Sequence, residues 1–169
     1  ACLTIGGDEN IFRKIEWLCK AVAAKNGYAY LGSAGAGHFV KMVHNGIEYG
    51  GLQAIGEGFE LLLKCPYKLD FEAIAKVWKN GSIIQSKIME WAEDAFKKDK
   101  NLKNIEGVVG GGETGEWALK TAKEHKVDFE TLSLALKSRK ESQKKPRFAG
   151  KGVAALRNEF GGHEVVRRR

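Results

Sequence analysis

The chain has 169 residues, with 28 Lys and Arg against 21 Asp and Glu, a net charge of +7 and 43% hydrophobic residues. That is the size of one domain with room for a fragment of another, and the composition excludes a chain disordered along its length. No apolar run approaches the roughly 18 residues of a membrane helix, and residues 1–7 carry neither the basic start nor the apolar stretch of a signal peptide.

The missing initiator Met gives the expectation that the chain is a piece of something longer. Cys2, Cys19 and Cys65 are odd in number and form no C-x-x-C pair, and His38, His44, His125 and His163 lack zinc-finger spacing. Reduced thiols, a cytoplasmic location and no metal site are expected. The basic balance suits a nucleic acid or an anionic small molecule. Aromatic residues are not interleaved with the basic ones as an RNA-binding sheet would require, so neither nucleic acid nor a membrane is expected as a partner.

In chain order, residues 1–7 read as the end of a strand and a turn. Asp8 caps a helix whose Ile11, Ile15, Leu18 and Val22 recur at helical spacing until Asn26-Gly27. Residues 28–31 form a short strand, and residues 32–37 a glycine-rich turn. A helix then runs from about His38 to Lys64 and ends at Cys65-Pro66. Asp70 caps a helix reaching Lys79, and another covers 82–97. A loop with glycines at 107 and 110–112 follows. Three further helices are placed at 116–125, 128–141 and 151–158. The fold class is mostly α, with a small α/β portion at the front. The boundary is set near Leu31, giving units 1–31 and 32–169.

The glycine turn fits a dinucleotide fingerprint poorly: no third glycine stands at 40, and uninterrupted helix follows in place of a second strand. The helix after it is more informative. At 100° per residue, Lys41, His44, Asn45, Glu48 and Tyr49 share one face. Phe39, Val40, Met42, Val43, Gly46, Ile47 and Gly50 occupy the other, and of these Phe39, Val43 and Ile47 are expected to pack inside. An amine, an imidazole, an amide, a carboxylate and a phenol on one stripe supply the groups of acid–base chemistry.

The run GAGHFVKMVHNGIEYG at 35–50 resembles the signature of the decarboxylating 6-phosphogluconate dehydrogenases. WKNGSIIQS at 78–86 is similar to that family's W-x-x-G-x-I-I-x-S stretch, and RNEFGGH at 157–163 to its C-terminal R-x-x-F-G-x-H. The resemblance covers nearly the whole chain and is nearest to the compact members of the family. It implies an all-helical C-terminal domain of that family, preceded in 1–31 by the end of an NADP-binding Rossmann domain. The cofactor of the whole enzyme would be NADP or NAD, with none expected on this portion.

The same resemblance implies roles. Lys41 matches the base that takes the proton of the C3 hydroxyl of 6-phosphogluconate, and so would have to be held partly neutral by burial or by nearby cations. Glu48 matches the acid that protonates C1 after loss of CO2, giving ribulose 5-phosphate. His44 and Asn45 match residues that orient hydroxyls and carboxylate, and Tyr49, Thr114 and Arg139 match phosphate contacts. Arg157 and His163 match tail residues that complete the site of the neighbouring subunit, so a homodimer is expected. Gly112 departs from the pattern, because longer enzymes carry a lysine there. Two other functions stay open on the residues: a related β-hydroxyacid dehydrogenase with another substrate, and a non-catalytic helical module that binds or dimerises.

Overall fold

Asp8 opens the first helix in the computed structural model, which describes residues 1–168: its carboxylate accepts from the Ile11 N–H at 3.0 Å. That helix, α1 (Glu9–Val22), joins strand β1 (Leu3–Ile5) to β2 (Tyr28–Tyr30). The strands pair in parallel, with Leu3 opposite Tyr28 and Ile5 opposite Tyr30. A parallel pair needs such a crossover, so the front of the chain is a small β-α-β unit. No residue of α1 is buried, and Trp17 and Ile11 stand largely exposed.

The glycine-rich turn leads into α2 (Ala36–Lys64), the axis of the molecule. Thr4 Oγ1 donates to the Gly37 carbonyl at 3.0 Å, and a Cβ at Gly37 would stand 2.3 Å from the Thr4 oxygen. The turn is therefore packed by backbone onto β1 at Gly37.

Helices α3 (Phe71–Trp78), α4 (Lys87–Lys98), α5 (Glu113–Glu124), α6 (Glu130–Ser142) and α7 (Phe148–Gly161) wrap α2. Asp70 caps α3 by accepting from the Ala73 N–H at 3.1 Å. Asp70→Ala is expected to lower stability by about 1 kcal/mol, read as a lower urea midpoint at unchanged slope. The helix expected from Ser82 begins only at Lys87. Residues 82–85 form a turn instead, held by Ser82 Oγ donating to the Trp78 carbonyl at 2.6 Å and the Gly81 N–H donating to Gln85 at 3.0 Å. Ser86 is the true cap, accepting from the Met89 N–H.

The larger core joins the second half of α2 to α3, α4 and α7. Leu52 and Phe59 of α2 meet Phe71, Met89, Phe96, Leu102 and Val153, and Phe59 lies 4.6 Å from the Phe96 ring. A smaller core holds Met42 against Ala118, Leu132 and Leu136. The expectation that Phe39, Val43 and Ile47 pack inside is corrected: Phe39 and Ile47 are exposed and Val43 half-buried, while Met42, Gly46 and Gly50 form the buried stripe. The glycines let α6 approach. A Cβ at Gly46 would reach 2.8 Å from the Phe129 ring, and one at Gly50 would reach 2.6 Å from Thr131. The helical period does put Met42, Gly46 and Gly50 on the apolar face, but glycine carries no hydrophobic weight there, so the inside is assigned to the larger Phe39, Val43 and Ile47.

Candidate functional site

The expected face of α2 holds together. Lys41 Nζ lies 3.1 Å from His44 Nδ1 and donates to it when the imidazole carries its proton on Nε2. Asn45 Oδ1 stands 3.3 Å from the same nitrogen and accepts from it in the other tautomer. One turn on, Glu48 Oε2 comes within 4.0 Å of His44 Nδ1. Spacings of three and four residues put these side chains within reach of one another. Glu48 and Asn45 are half-buried, while Lys41 and His44 are exposed, so this chain does not supply the burial expected around the Lys41 amine.

Tyr49 extends the face toward α6. The Arg139 guanidinium carbon stands 4.1 Å from the centre of the Tyr49 ring, a stacked cation–π geometry. Arg139 is only 6% exposed, and its Nη1 is fully buried with no hydrogen-bond partner. Burial above all pulls this guanidinium below its ordinary pKa; the Tyr49 hydroxyl opposes the shift and the Arg157 charge adds to it. A buried cation with an unused donor is a costly feature for a structural residue, and one that an anionic ligand would satisfy.

Arg157 reaches the same place from α7. Its Nη1 donates to the Gly110 carbonyl at 2.7 Å, and a Cβ at Gly111 would stand 3.0 Å from its Nη2. Gly111 and Gly112 have φ of +69° and +141°, which favour glycine, and the turn they make opens α5. Thr114 lies half-buried in the first turn of that helix. His163 follows α7, its ring edge-on to Phe160 at 6.0 Å. Desolvation first, then the charges of Arg157 and Arg139, hold its imidazole below the ordinary value, and Glu48 opposes them.

Within one chain, then, Glu48, Tyr49, Arg139, Arg157 and His163 surround a common region, bounded by the α5 N-terminus. Arg157, one of the two tail residues expected to serve a neighbouring subunit, is seated against this chain's own 110–112 turn. Among the described residues no side-chain hydrogen bond ties Thr114 to the others, and it joins the site only by its place in that first turn. Sequence reasoning missed Glu113, whose carboxylate accepts from the Gly112 N–H at 3.0 Å. An acidic residue directly after three glycines at a helix start was the available signal.

Beside the polar face lies an open groove of about 680 Å³, lined by Phe39, Val40, Val43, Ile47, Trp91 and Phe160, with His44 and Glu48 on its rim. Among the described residues there is no group of His, Cys, Asp and Glu able to hold a metal ion, and no helix long and apolar enough to cross a membrane.

Comparison with known proteins places this geometry. Residues 37–66 and 63–108 match the family described as 6-phosphogluconate dehydrogenase, C-terminal domain. YqeC of Bacillus subtilis (strain 168) is 44% identical over 99% of this chain and 57% of its own length. The NAD(+)-dependent, decarboxylating 6-phosphogluconate dehydrogenase of Haloferax volcanii is 40% identical over 98% of this chain and 56% of its own length. The chain thus spans a little over half the length of these relatives. Among solved structures, 6-phosphogluconate dehydrogenase of Plasmodium falciparum, determined in apo form, with its cofactor NADP+ and with its substrate 6-phosphogluconate, superposes with a TM-score of 0.71. The identity is 29%, and the match covers 83% of this chain and 32% of that one.

Proposed function

The chain belongs to the 6-phosphogluconate dehydrogenase family, and from that membership we propose that it is the substrate-binding and catalytic-helix domain of an enzyme that oxidatively decarboxylates 6-phosphogluconate to ribulose 5-phosphate. The observation that carries this reading is the single α2 face on which Lys41, His44, Asn45 and Glu48 lie, running directly into Tyr49 stacked on the buried Arg139.

In this reading Lys41 Nζ takes the proton of the C3 hydroxyl. The ammonium so formed polarises the C3 oxygen while CO2 leaves, which stabilises the charge that develops there. Glu48 delivers a proton to C1 from the opposite end of the stripe, and His44 and Asn45 orient the sugar hydroxyls and carboxylate between them. Tyr49, Thr114, Arg139, Arg157 and His163 hold the phosphate, which Arg suits through its planar set of donors. The hydride acceptor in the family reaction is a nicotinamide cofactor. The 32–37 turn does not fit it, so we assign no residue of this chain to NADP or NAD.

We read residues 1–31 as the end of a cofactor-binding unit. A two-stranded pair is marginal alone, and α1 leaves Ile11, Trp17 and Leu18 uncovered. We also read the protein as a homodimer, because Phe39, Val40 and Ile47 of this single chain stay exposed along an apolar groove, and Ile83 and Ile84 are exposed as well.

Calorimetry on this chain tests the site directly. 6-Phosphogluconate is expected to bind about tenfold or more tightly than gluconate, since two arginines and a helix N-terminus await the phosphate alone. Equal affinities would remove the phosphate assignment, and with it the reading of Arg139 and Arg157.

A further inference from the structure

The N-terminus of α5 already has an anion on it. The Glu113 carboxylate accepts from the Gly112 N–H at 3.0 Å, in the first turn of a 12-residue helix whose free N–H groups carry partial positive charge. A point built outward from Gly111 stands 3.6 Å from Glu113 Oε2 and 3.0 Å from Arg157 Nη2, so the carboxylate and the guanidinium flank the same small space. Arg139 lies close by, its Cδ 3.8 Å from a point built outward from the adjoining Gly112. Among the described residues, neither arginine closes an ion pair with Glu113. Arg157 spends a donor on the Gly110 carbonyl, and the buried Nη1 of Arg139 is unpartnered.

We infer that Glu113 is a resident occupant of the anion seat, a side chain of the protein that holds the α5 N-terminus until the phosphate of the ligand displaces it. The inference rests on the reading of this site as a phosphate site. The charges favour exchange over permanent occupation. Two arginines supply +2, and the helix end adds to it, while one carboxylate returns −1. A phosphomonoester carries close to −2 near neutral pH and brings three acceptor oxygens. It can satisfy both guanidinium groups and the helix N–H groups together, which a carboxylate anchored at 113 does not do. The backbone N–H groups and the arginine charges hold the Glu113 carboxyl below its ordinary pKa, so it competes in its charged form. On this account Glu113 sets the affinity threshold of the site and favours dianionic phosphate over weaker anions.

The test compares the wild-type chain with Glu113→Gln, which keeps the oxygen that accepts from the Gly112 N–H and removes the charge. Inorganic phosphate and 6-phosphogluconate are titrated by calorimetry, with gluconate as the ligand that lacks phosphate. Both phosphate-bearing ligands are expected to bind roughly 3- to 10-fold more tightly to the variant, with gluconate unchanged. Glu113→Ala, which empties the seat altogether, is expected to show the same direction. Phosphate affinity equal to or below that of the wild type in both variants overturns the inference and leaves the phosphate site standing. An equal gain for gluconate also overturns it, because the effect would then not lie at the phosphate. If no form of the chain binds phosphate, the site reading falls and takes this inference with it.

Discussion

Gly150→Ala is expected to lower the stability of the chain by about 3 kcal/mol and its thermal midpoint by roughly 6–12 °C. Residue 150 lies in the first turn of α7, where a Cβ would stand 2.1 Å from the Gly107 carbonyl oxygen and 3.1 Å from its carbon. Both are backbone atoms, which cannot rotate aside as a long side chain can. Relief would require α7 to move away from the 107 loop, against the buried Phe148, Ala149 and Val153 that hold it. Gly58→Ala is the control: nothing lies within 4 Å of its Cβ position on the exposed side of α2. It is expected to stabilise by up to about 1 kcal/mol, because alanine loses less chain entropy in a helix. Denaturation of the two variants side by side checks the pair. A Gly150→Ala chain as stable as the wild type would mean that the loop is not held on α7.

Arg139→Met is expected to act in two opposite directions. The methionine keeps much of the side chain's length and removes a buried donor that no protein atom satisfies. Folding should become easier by about 1 kcal/mol or stay unchanged, as replacement of an uncompensated buried polar group often does. Binding of 6-phosphogluconate should weaken roughly 10- to 100-fold, the scale of losing one desolvated charge-assisted partner. Gluconate, with no phosphate to present, should notice little. Urea denaturation and calorimetry on the same preparation read both effects. A destabilised variant with unchanged affinity would assign Arg139 to packing over Tyr49 and nothing more.

The parts of this fold that were legible in the sequence are those decided within a few residues. Asp8 and Asp70 announce their helices because a carboxylate three residues before a free N–H acts locally. Residues 82–85 mislead for the same reason turned about: Ser82 and Gln85 hold a turn through side-chain bonds to Trp78 and Gly81, while the composition reads as helix. The α2 face was legible because its polar residues recur with the helical period. Its buried side was legible only in part: Met42, Gly46 and Gly50 fall on the apolar face that the period marks, while the larger Phe39, Val43 and Ile47 draw the expectation of burial. Glycine carries no hydrophobic signal, and only the approach of Phe129 and Thr131 shows why Gly46 and Gly50 are inside. Arg139 and Arg157 were found through a motif resemblance. That Arg139 is buried and unpartnered, and that Glu113 stands beside both arginines, depends on three helices meeting, which no local pattern encodes.

The segment 104–110 touches α7 near both of its ends. Gly107 is pressed on Gly150 at the start of the helix, and Gly110 receives Arg157 near its end. Beyond the helix, the returning chain pairs Ile105 with Arg167, the Glu106 N–H donating to the Val166 carbonyl and the Arg168 N–H to that of Asn104, both at 3.0 Å. A strand-like mooring at one end and a backbone contact at the other make loop, helix and tail one cooperative unit, which opens as a whole or stays closed. The amides of Glu106 and Arg168, 62 positions apart, are therefore expected to exchange in one opening event, with Arg157 keeping its aim for as long as that unit stays shut.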